Sequence, residues 1–355
     1  MVLTRLEQLR DKLELQQLEG LVVRQAQNMR YLSGFTGSEG MLLVLRDKAY
    51  LCTDFRYVEQ AAKQAHGWEI VKIEGSWQNV IKGLWPRGRT KLGFEAQHLS
   101  YHSWHKLAQA LPAVNLTPTT GLVEALRAQK DKQELALLRQ AIALADKGAE
   151  YLRTRLIPDR TEREIALELE FFLRNHGAEK AAFPFIVASG VRGSLPHGEA
   201  GDKKLQVGEM VTVDFGAVYQ GYHSDLTRTF VLGTPTFKQQ LVYETVLEAQ
   251  TRAIACARPG VLGAKVDQAA RDVITAAGYG DYFGHATGHG VGLAIHEAPR
   301  LSAQSTDILL PGTVVTVEPG IYLPDWGGVR TEDIILITEQ GVEVLSQAPR
   351  ETFVL

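Results

Sequence analysis

Cysteine is nearly absent from this chain: Cys52 and Cys256 are the two in 355 residues. One pair so far apart in sequence makes no disulfide framework, and a reducing compartment is expected. An excess of one charge sign is missing too. Thirty-eight Lys and Arg stand against 41 Asp and Glu, a formal net charge of -3, so no basic face invites nucleic acid. No apolar run approaches the length of a membrane span. The opening Met1-Val2-Leu3-Thr4-Arg5-Leu6-Glu7 lacks the basic-then-apolar build of a secretory signal. Low-complexity segments and solenoid-type repeats are lacking as well. The expectation is a soluble, cytoplasmic protein with neither membrane nor nucleic acid as partner. What is there is 45% hydrophobic residues, in a length that suits two domains better than one.

The first third alternates helix and strand signals. Leu6, Leu9 and Leu13 recur at helical spacing over residues 4–17, with Leu18 just beyond. Gly20-Leu21-Val22-Val23 reads as a short buried strand, and residues 40–45 and 49–52 as a strand pair turned at Arg46-Asp47-Lys48. A helix over 55–65, an extended stretch over 68–73, a strand over 91–95 and a helix over 101–110 follow. This rhythm predicts a mixed sheet with flanking helices, an α/β domain. Thr117-Pro118-Thr119-Thr120-Gly121 has the composition of a linker. We therefore expect domains at residues 1–122 and 123–355. In the second, a long helix is expected over 130–156, ended by Pro158. Thr161-Glu162-Arg163-Glu164 opens the next helix as a capping box, and Asn175-His176-Gly177 stops it. Beyond Phe183 strands dominate, with helices near 236–257 and 262–277.

The chemistry lies in this second part. Val211 to Val218 alternates and is β-branched, Tyr219-Gln220-Gly221 offers a turn, and residues 222–231 return as a strand. Asp214 and Asp225 are eleven residues apart. That odd separation lets a two-residue hairpin loop set them opposite each other on one face. Thr313-Val314-Val315-Thr316-Val317 ends in Glu318, then Pro319-Gly320 as a turn, and Glu332 opens the returning strand over 334–338. A glutamate closing such an apolar run needs a partner. His289 lies between Gly288 and Gly290, which let backbone approach a site closely. His197 stands in the turn-like Ser194-Leu195-Pro196-His197-Gly198, and His296-Glu297 follows downstream. Four carboxylates and one imidazole suit Mn²⁺, Co²⁺ or Zn²⁺, and so much buried negative charge calls for cations. Asp214, Asp225, His289, Glu318 and Glu332 therefore read as ligands of a binuclear metallohydrolase.

Together these segments resemble the proline-specific metallopeptidases of the pita-bread fold: aminopeptidase P and prolidase, with methionine aminopeptidase and creatinase as relatives. The resemblance runs through Leu195-Pro196-His197-Gly198, Asp214-Phe215-Gly216, Ser224-Asp225-Leu226-Thr227-Arg228-Thr229 and Gly288-His289-Gly290-Val291-Gly292. It continues in His296-Glu297, Val317-Glu318-Pro319-Gly320 and Val329-Arg330-Thr331-Glu332-Asp333. It implies a creatinase-like N-terminal domain and an α+β pita-bread catalytic domain. On these positions it implies Asp214, Asp225, His289, Glu318 and Glu332 as ligands of two divalent metal ions. It implies His197 and His296 as catalytic histidines that touch substrate, and a homodimer. The full ligand set argues against a metal-free, creatinase-like protein.

The mechanism expected from this set is attack by a metal-bridging hydroxide on the Xaa-Pro bond, with Glu318 as proton shuttle. Arg330 is expected behind Glu332. His285 and Arg300 are further pocket candidates, Arg300 as a clamp for a substrate carboxylate. Phe183, Tyr222 and Tyr322 are candidates to pack on the proline ring. The run Val187 to Gly198 leans toward bacterial aminopeptidase P, acting on peptides with proline second. The alternative is a prolidase restricted to dipeptides. A non-catalytic peptide-binding module on the same fold belongs to another class, and a phosphotriesterase side activity would use the same ions.

Overall fold

The computed structural model describes residues 2–350 together with residues 354 and 355. The chain divides into two compact units, Met1–Arg127 and Ala128–Leu355. The first unit holds a six-stranded mixed sheet of β1 (Gly20–Val23), β2 (Met41–Leu45), β3 (Ala49–Thr53), β4 (Glu69–Lys72), β5 (Lys91–Glu95) and β6 (Asn115–Thr119), ordered β4-β3-β2-β1-β5-β6. Its helices are α1 (Val2–Leu15), α2 (Ala26–Ser33), α3 (Val58–Gln64), α4 (Trp77–Leu84), α5 (Tyr101–Ala110) and α6 (Glu124–Arg127). The expected linker is not one. Thr117-Pro118-Thr119 lies in β6, paired parallel to β5 at one edge of the sheet. Proline lacks a backbone donor, and an edge strand tolerates that. The division also falls later than 122/123, because α6 is tied into the first unit: Arg127 Nη1 donates to Asn28 Oδ1 at 2.8 Å and Asn28 Nδ2 to Glu124 Oε1 at 2.7 Å.

The second unit opens with α7 (Lys132–Leu152) and α8 (Glu162–Asn175), and later carries α9 (Phe237–Cys256) and α10 (Gly263–Ala276). Capping boxes at Asp131/Glu134 and Thr161/Glu164 start the first two. The helix α7 stops at Leu152, short of the expected 156. Gly177, at φ +110°, follows the end of α8. The strands are β7 (Lys180–Ala181), β8 (Ile186–Ser189), β9 (Met210–Phe215), β10 (Ala217–Tyr219), β11 (Tyr222–His223), β12 (Leu226–Val231), β13 (Gly288–Gly290), β14 (Glu297–Leu301), β15 (Val314–Val317), β16 (Gly320–Leu323), β17 (Gly327–Arg330), β18 (Asp333–Thr338) and β19 (Gly341–Val344). They form small antiparallel sheets, β12-β9-β8 and β14-β13-β15-β18-β19 the main two. One apolar cluster joins α7 and α8 residues such as Leu144 and Leu169 to Val213 and Phe215 of β9. A second joins α9 and α10, through Val246 and Val266, to Val315 and Ile335. The helices thus cover the sheets from outside and leave the opposite faces to the site.

Two interrupted hairpins shape that site. In the first, the pairs Phe215↔Leu226 and Val218↔His223 belong to one register, turned at Gln220-Gly221. Asp214 faces Thr227, not Asp225. The two aspartates are therefore diagonal rather than directly opposed, yet on one face, within reach of a shared centre. In the second, Val317↔Asp333 and Gly320↔Arg330 also share one register. Pro319-Gly320 is no turn: Gly320 begins β16, and the chain reverses between Leu323 and Gly327, where Asp325 takes φ +58°. Both ladders lapse at the carboxylates, over residues 224–225 and 331–332.

Candidate metal centre

A cavity of about 640 Å³ opens in the second unit, with Asp214, Asp225, His289, Glu318 and Glu332 all on its wall. Single ligand-capable atoms of Asp225, His289 and Glu332 lie within 4.8 Å of one another. His289 Nε2 stands 3.3 Å from Glu318 Oε1 and 3.6 Å from Asp225 Oδ2. His289 reaches this place because its flanking glycines let β13 press against neighbouring backbone. A Cβ on Gly288 would sit 2.0 Å from the Thr316 carbonyl oxygen, and one on Gly290 2.3 Å from that of Ala298.

The carboxylates are only partly satisfied by protein. Asp214 Oδ2 accepts from Arg330 Nη2 at 2.7 Å, and Glu332 Oε2 from Thr227 Oγ1 at 2.8 Å. Asp214 Oδ1 and Glu332 Oε1 are buried without a hydrogen-bond partner among the described residues. Burial, and then repulsion from neighbouring carboxylates, pushes Asp225 and Glu332 well above the usual carboxyl range. Burial raises Asp214 as well, against the pull of Arg330. Glu318 goes the other way: burial would raise it, but the His289 hydrogen bond and charge bring it below its ordinary value. His289 is correspondingly raised by Glu318, which outweighs its burial. Orphaned carboxylate oxygens packed against like charge are what a site for hard divalent cations provides.

Around this cluster the cavity is walled by His197, His285, His296, Arg300 and Phe183. The His296 and His289 rings meet edge to face, centroids 4.3 Å apart. Burial, then the charge of His289, holds His296 below its usual pKa, and burial does the same for His285.

Residues 136–339 match the metallopeptidase family M24, and residues 5–129 match the Creatinase/Prolidase N-terminal domain. The chain belongs to metallopeptidase family M24. It is 38% identical to a Xaa-Pro dipeptidase of Pyrococcus furiosus over 98% of this chain and 99% of that one. Among solved structures, a Xaa-Pro dipeptidase from Bacillus anthracis is 45% identical, covers 100% of both chains and superposes with a TM-score of 0.97. An X-Pro aminopeptidase from Thermotoga maritima is 35% identical over 96% of this chain and 98% of that one, at a TM-score of 0.89.

As an M24 metallopeptidase the chain is an enzyme whose family implies divalent metal ions. Most residues singled out in its sequence converge on the one cavity, and the exceptions are informative. Tyr222 does not line it: its buried hydroxyl donates to Glu134 Oε1 of α7 at 3.1 Å, because β11 faces that helix. Tyr322 is buried behind the wall, its hydroxyl shared by Arg330 Nη1 and His285 Nε2, each at 2.8 Å. Arg330 pairs with Asp214 and touches Glu332 only through Thr227, which receives Arg330 Nε at 3.1 Å. Sequence reasoning missed Thr227 and Thr316. Each lies two residues from a carboxylate along a strand, hence on the same face, and that period was the available signal. Thr316 Oγ1 accepts from His289 N at 3.1 Å and donates to Glu318 Oε1 at 3.2 Å. No helix of the described residues is long and apolar enough to cross a membrane.

Proposed function

We propose that this M24 metallopeptidase is a Xaa-Pro dipeptidase, hydrolysing the single peptide bond of dipeptides that end in proline. The observation that carries this reading is the end-to-end likeness to two proteins named Xaa-Pro dipeptidase. It replaces the lean toward aminopeptidase P, which keeps the support of the Thermotoga maritima relative at lower identity. Arg300 adds to it. It is an exposed residue on the cavity wall, and a dipeptide's terminal carboxylate would need a cation. A longer substrate has no carboxylate there.

Asp214, Asp225, His289, Glu318 and Glu332 would hold two divalent ions, Mn²⁺, Co²⁺ or Zn²⁺. Bound there, such ions polarise the scissile carbonyl and acidify a water into a nucleophile near neutral pH. Glu318, kept ionised by His289, can take the proton of the attacking water and return it to the departing proline nitrogen. His296, its pKa lowered by burial and by His289, can donate its ring N–H to the substrate carbonyl oxygen as charge develops. His197, exposed at the rim, can reach the same peptide group. The proline nitrogen has no N–H to recognise, so selection falls to the shape of the wall, which includes Phe183 and His285. A homodimer in the cytoplasm belongs to the same reading, and sedimentation checks the first half of it.

The test is a paired assay on metal-depleted protein restored with Mn²⁺, Co²⁺ or Zn²⁺. Its substrates are a Xaa-Pro dipeptide, a Xaa-Pro-Xaa tripeptide and a non-proline dipeptide. Cleavage of the Xaa-Pro dipeptide alone is the expected result. Release of the tripeptide's first residue would return the reading to aminopeptidase P. Failure of every metal to restore cleavage would promote a peptide-binding module.

A further inference from the structure

The segment over residues 283–287 carries His285 into the cavity wall and has no regular structure of its own. Among the described residues, no backbone–backbone hydrogen bond reaches Gly284, His285 or Ala286. Irregular backbone at a site needs partners from elsewhere. Two side chains one turn apart on α10 supply them. Arg271 Nη1 donates to the Phe283 carbonyl at 2.8 Å, and Arg271 Nη2 donates to the carbonyl of His285 itself. Asp267 Oδ1 accepts from Thr287 N at 3.0 Å and from Thr287 Oγ1 at 2.8 Å. The two head groups are locked to each other by Nε–Oδ2 at 2.6 Å and Nη2–Oδ1 at 3.1 Å.

From this geometry we propose that Asp267 and Arg271 are positioning residues for His285, and through it set how the cavity selects the residue after the scissile bond. The inference rests on the dipeptidase reading and names a part of the chain that the reading leaves unused. The Asp267 carboxylate is fully buried and the Arg271 side chain only 25% exposed. A helix facing an apolar core needs no buried ion pair, and such a pair is at best a weak source of stability. Its worth here is geometric: it bolts the strap at both ends of His285. The Arg271 guanidinium also lies 4.3 Å from the Phe283 ring centroid, and that ring meets His285 edge on at 5.1 Å. On its other side the His285 ring is fixed by the Tyr322 hydroxyl at 2.8 Å. The backbone of His285 is thus held by Arg271, and its ring by Tyr322 and by its own Nδ1, 2.8 Å from the Ala286 carbonyl oxygen. His289 has different anchors, Thr316 and the pairing of Gly290 with Val315. Glu318 N donates to the strap's Thr287 carbonyl at 2.8 Å, but Thr287 is held by Asp267, so loss of Arg271 should move the selecting wall and spare the metal ligands.

The experiment uses the full-length, metal-loaded chain as parent, Arg271→Ala and Arg271→Lys. It reads kcat and KM on Ala-Pro and Ala-Ala dipeptides, bound metal per chain and the melting temperature. For Arg271→Ala the expected result is an Ala-Pro KM raised about tenfold with kcat within about twofold and Ala-Ala kinetics unmoved, so that selectivity falls about tenfold. Bound metal stays at the parental level. Arg271→Lys keeps one donor and the charge but loses the fork, so its selectivity falls by less. If Arg271→Ala does not fold, the lysine variant decides alone. A selectivity ratio equal to the parent's, whatever happens to the melting temperature, overturns the inference and leaves the dipeptidase reading standing. A parent with no preference for Ala-Pro overturns both.

Discussion

Glu318 and Glu332 stand directly opposite each other across a hairpin whose ladder lapses at that point, between Val317↔Asp333 and Gly320↔Arg330. Opposed like charges weaken a strand pair. Here the lapse frees both side chains to turn toward Asp214, Asp225 and His289 in one cavity. The hairpin surrenders local pairing to concentrate negative charge.

Asp225→Asn removes one carboxylate from this cluster while preserving its shape. Metal ions contribute several kcal/mol to transition states of this kind, so kcat/KM should fall by at least about a thousandfold. Elemental analysis should find the ions depleted. Burial, then Glu332, Asp214 and Glu318, disfavours the Asp225 charge. The metal-free variant should therefore melt no lower than the metal-free parent. Full turnover at normal metal content would sink the ligand assignment.

The same charges set a pH dependence for the metal-free chain. The carboxyls of Asp225 and Glu332 are raised well above their ordinary 3.8 and 4.5, by burial first and neighbouring carboxylates second. The folded chain then keeps protons that the unfolded chain releases. This contribution to stability is full below about pH 4 and is lost as pH climbs toward the folded values. His289, raised from 6.5 by Glu318 against its own burial, adds a loss of the same sign above that pH. His223, His285 and His296, all lowered by burial, act with the opposite sign as pH rises to about 6.5, so calorimetry on chelated protein should show the melting temperature falling above about pH 6.5, with the metal-loaded chain gaining most at the upper end. A chelated chain that melts higher at the upper pH contradicts the charge cluster.

Arg300→Met should act on binding and not on chemistry. With a dipeptide ending in a free carboxylate, KM should rise about tenfold at nearly constant kcat, the signature of a lost uniform binding contact. The C-terminal amide of the same dipeptide should be handled equally by parent and variant. Steady-state kinetics on the two substrates decides it, and equal effects on both would remove Arg300 as a clamp.

Lys130 and Glu297 form a buried pair, Nζ to Oε2 at 3.4 Å, with side chains 1% and 5% exposed. Glu297 Oε1 also accepts from Ala294 N at 2.8 Å, closing the loop that presents His296. Lys130→Met takes a cation away from a buried carboxylate and should cost about 3 kcal/mol in urea unfolding. Adding Glu297→Gln removes the carboxylate's charge and should return part of that loss. A single variant as stable as the parent would show the pair to be dispensable.

Sequence alone determined the elements and the chemical inventory. Period-two alternation around Asp214 and Glu318, glycines about His289 and the capping box at Thr161 are local facts, each read from a few neighbouring residues. Even the shared face of Asp214 and Asp225 follows from their odd spacing, since side chains alternate strictly along a strand. Pairings between distant segments were decided by the fold. Register made Asp214 diagonal to Asp225 and placed Glu318 opposite Glu332. It put Pro319 inside a hairpin, and Thr117 to Thr119 in an edge strand where a linker had been expected. Packing sent Tyr222 to Glu134 and Arg330 to Asp214. It also brought Asp267 and Arg271 onto the backbone around His285, a contact with no signature in either stretch of sequence. Local pattern is set by geometry that repeats every few residues. Which side chain meets which across the fold depends on how whole elements bury their apolar faces, and that is settled only when all of them pack together.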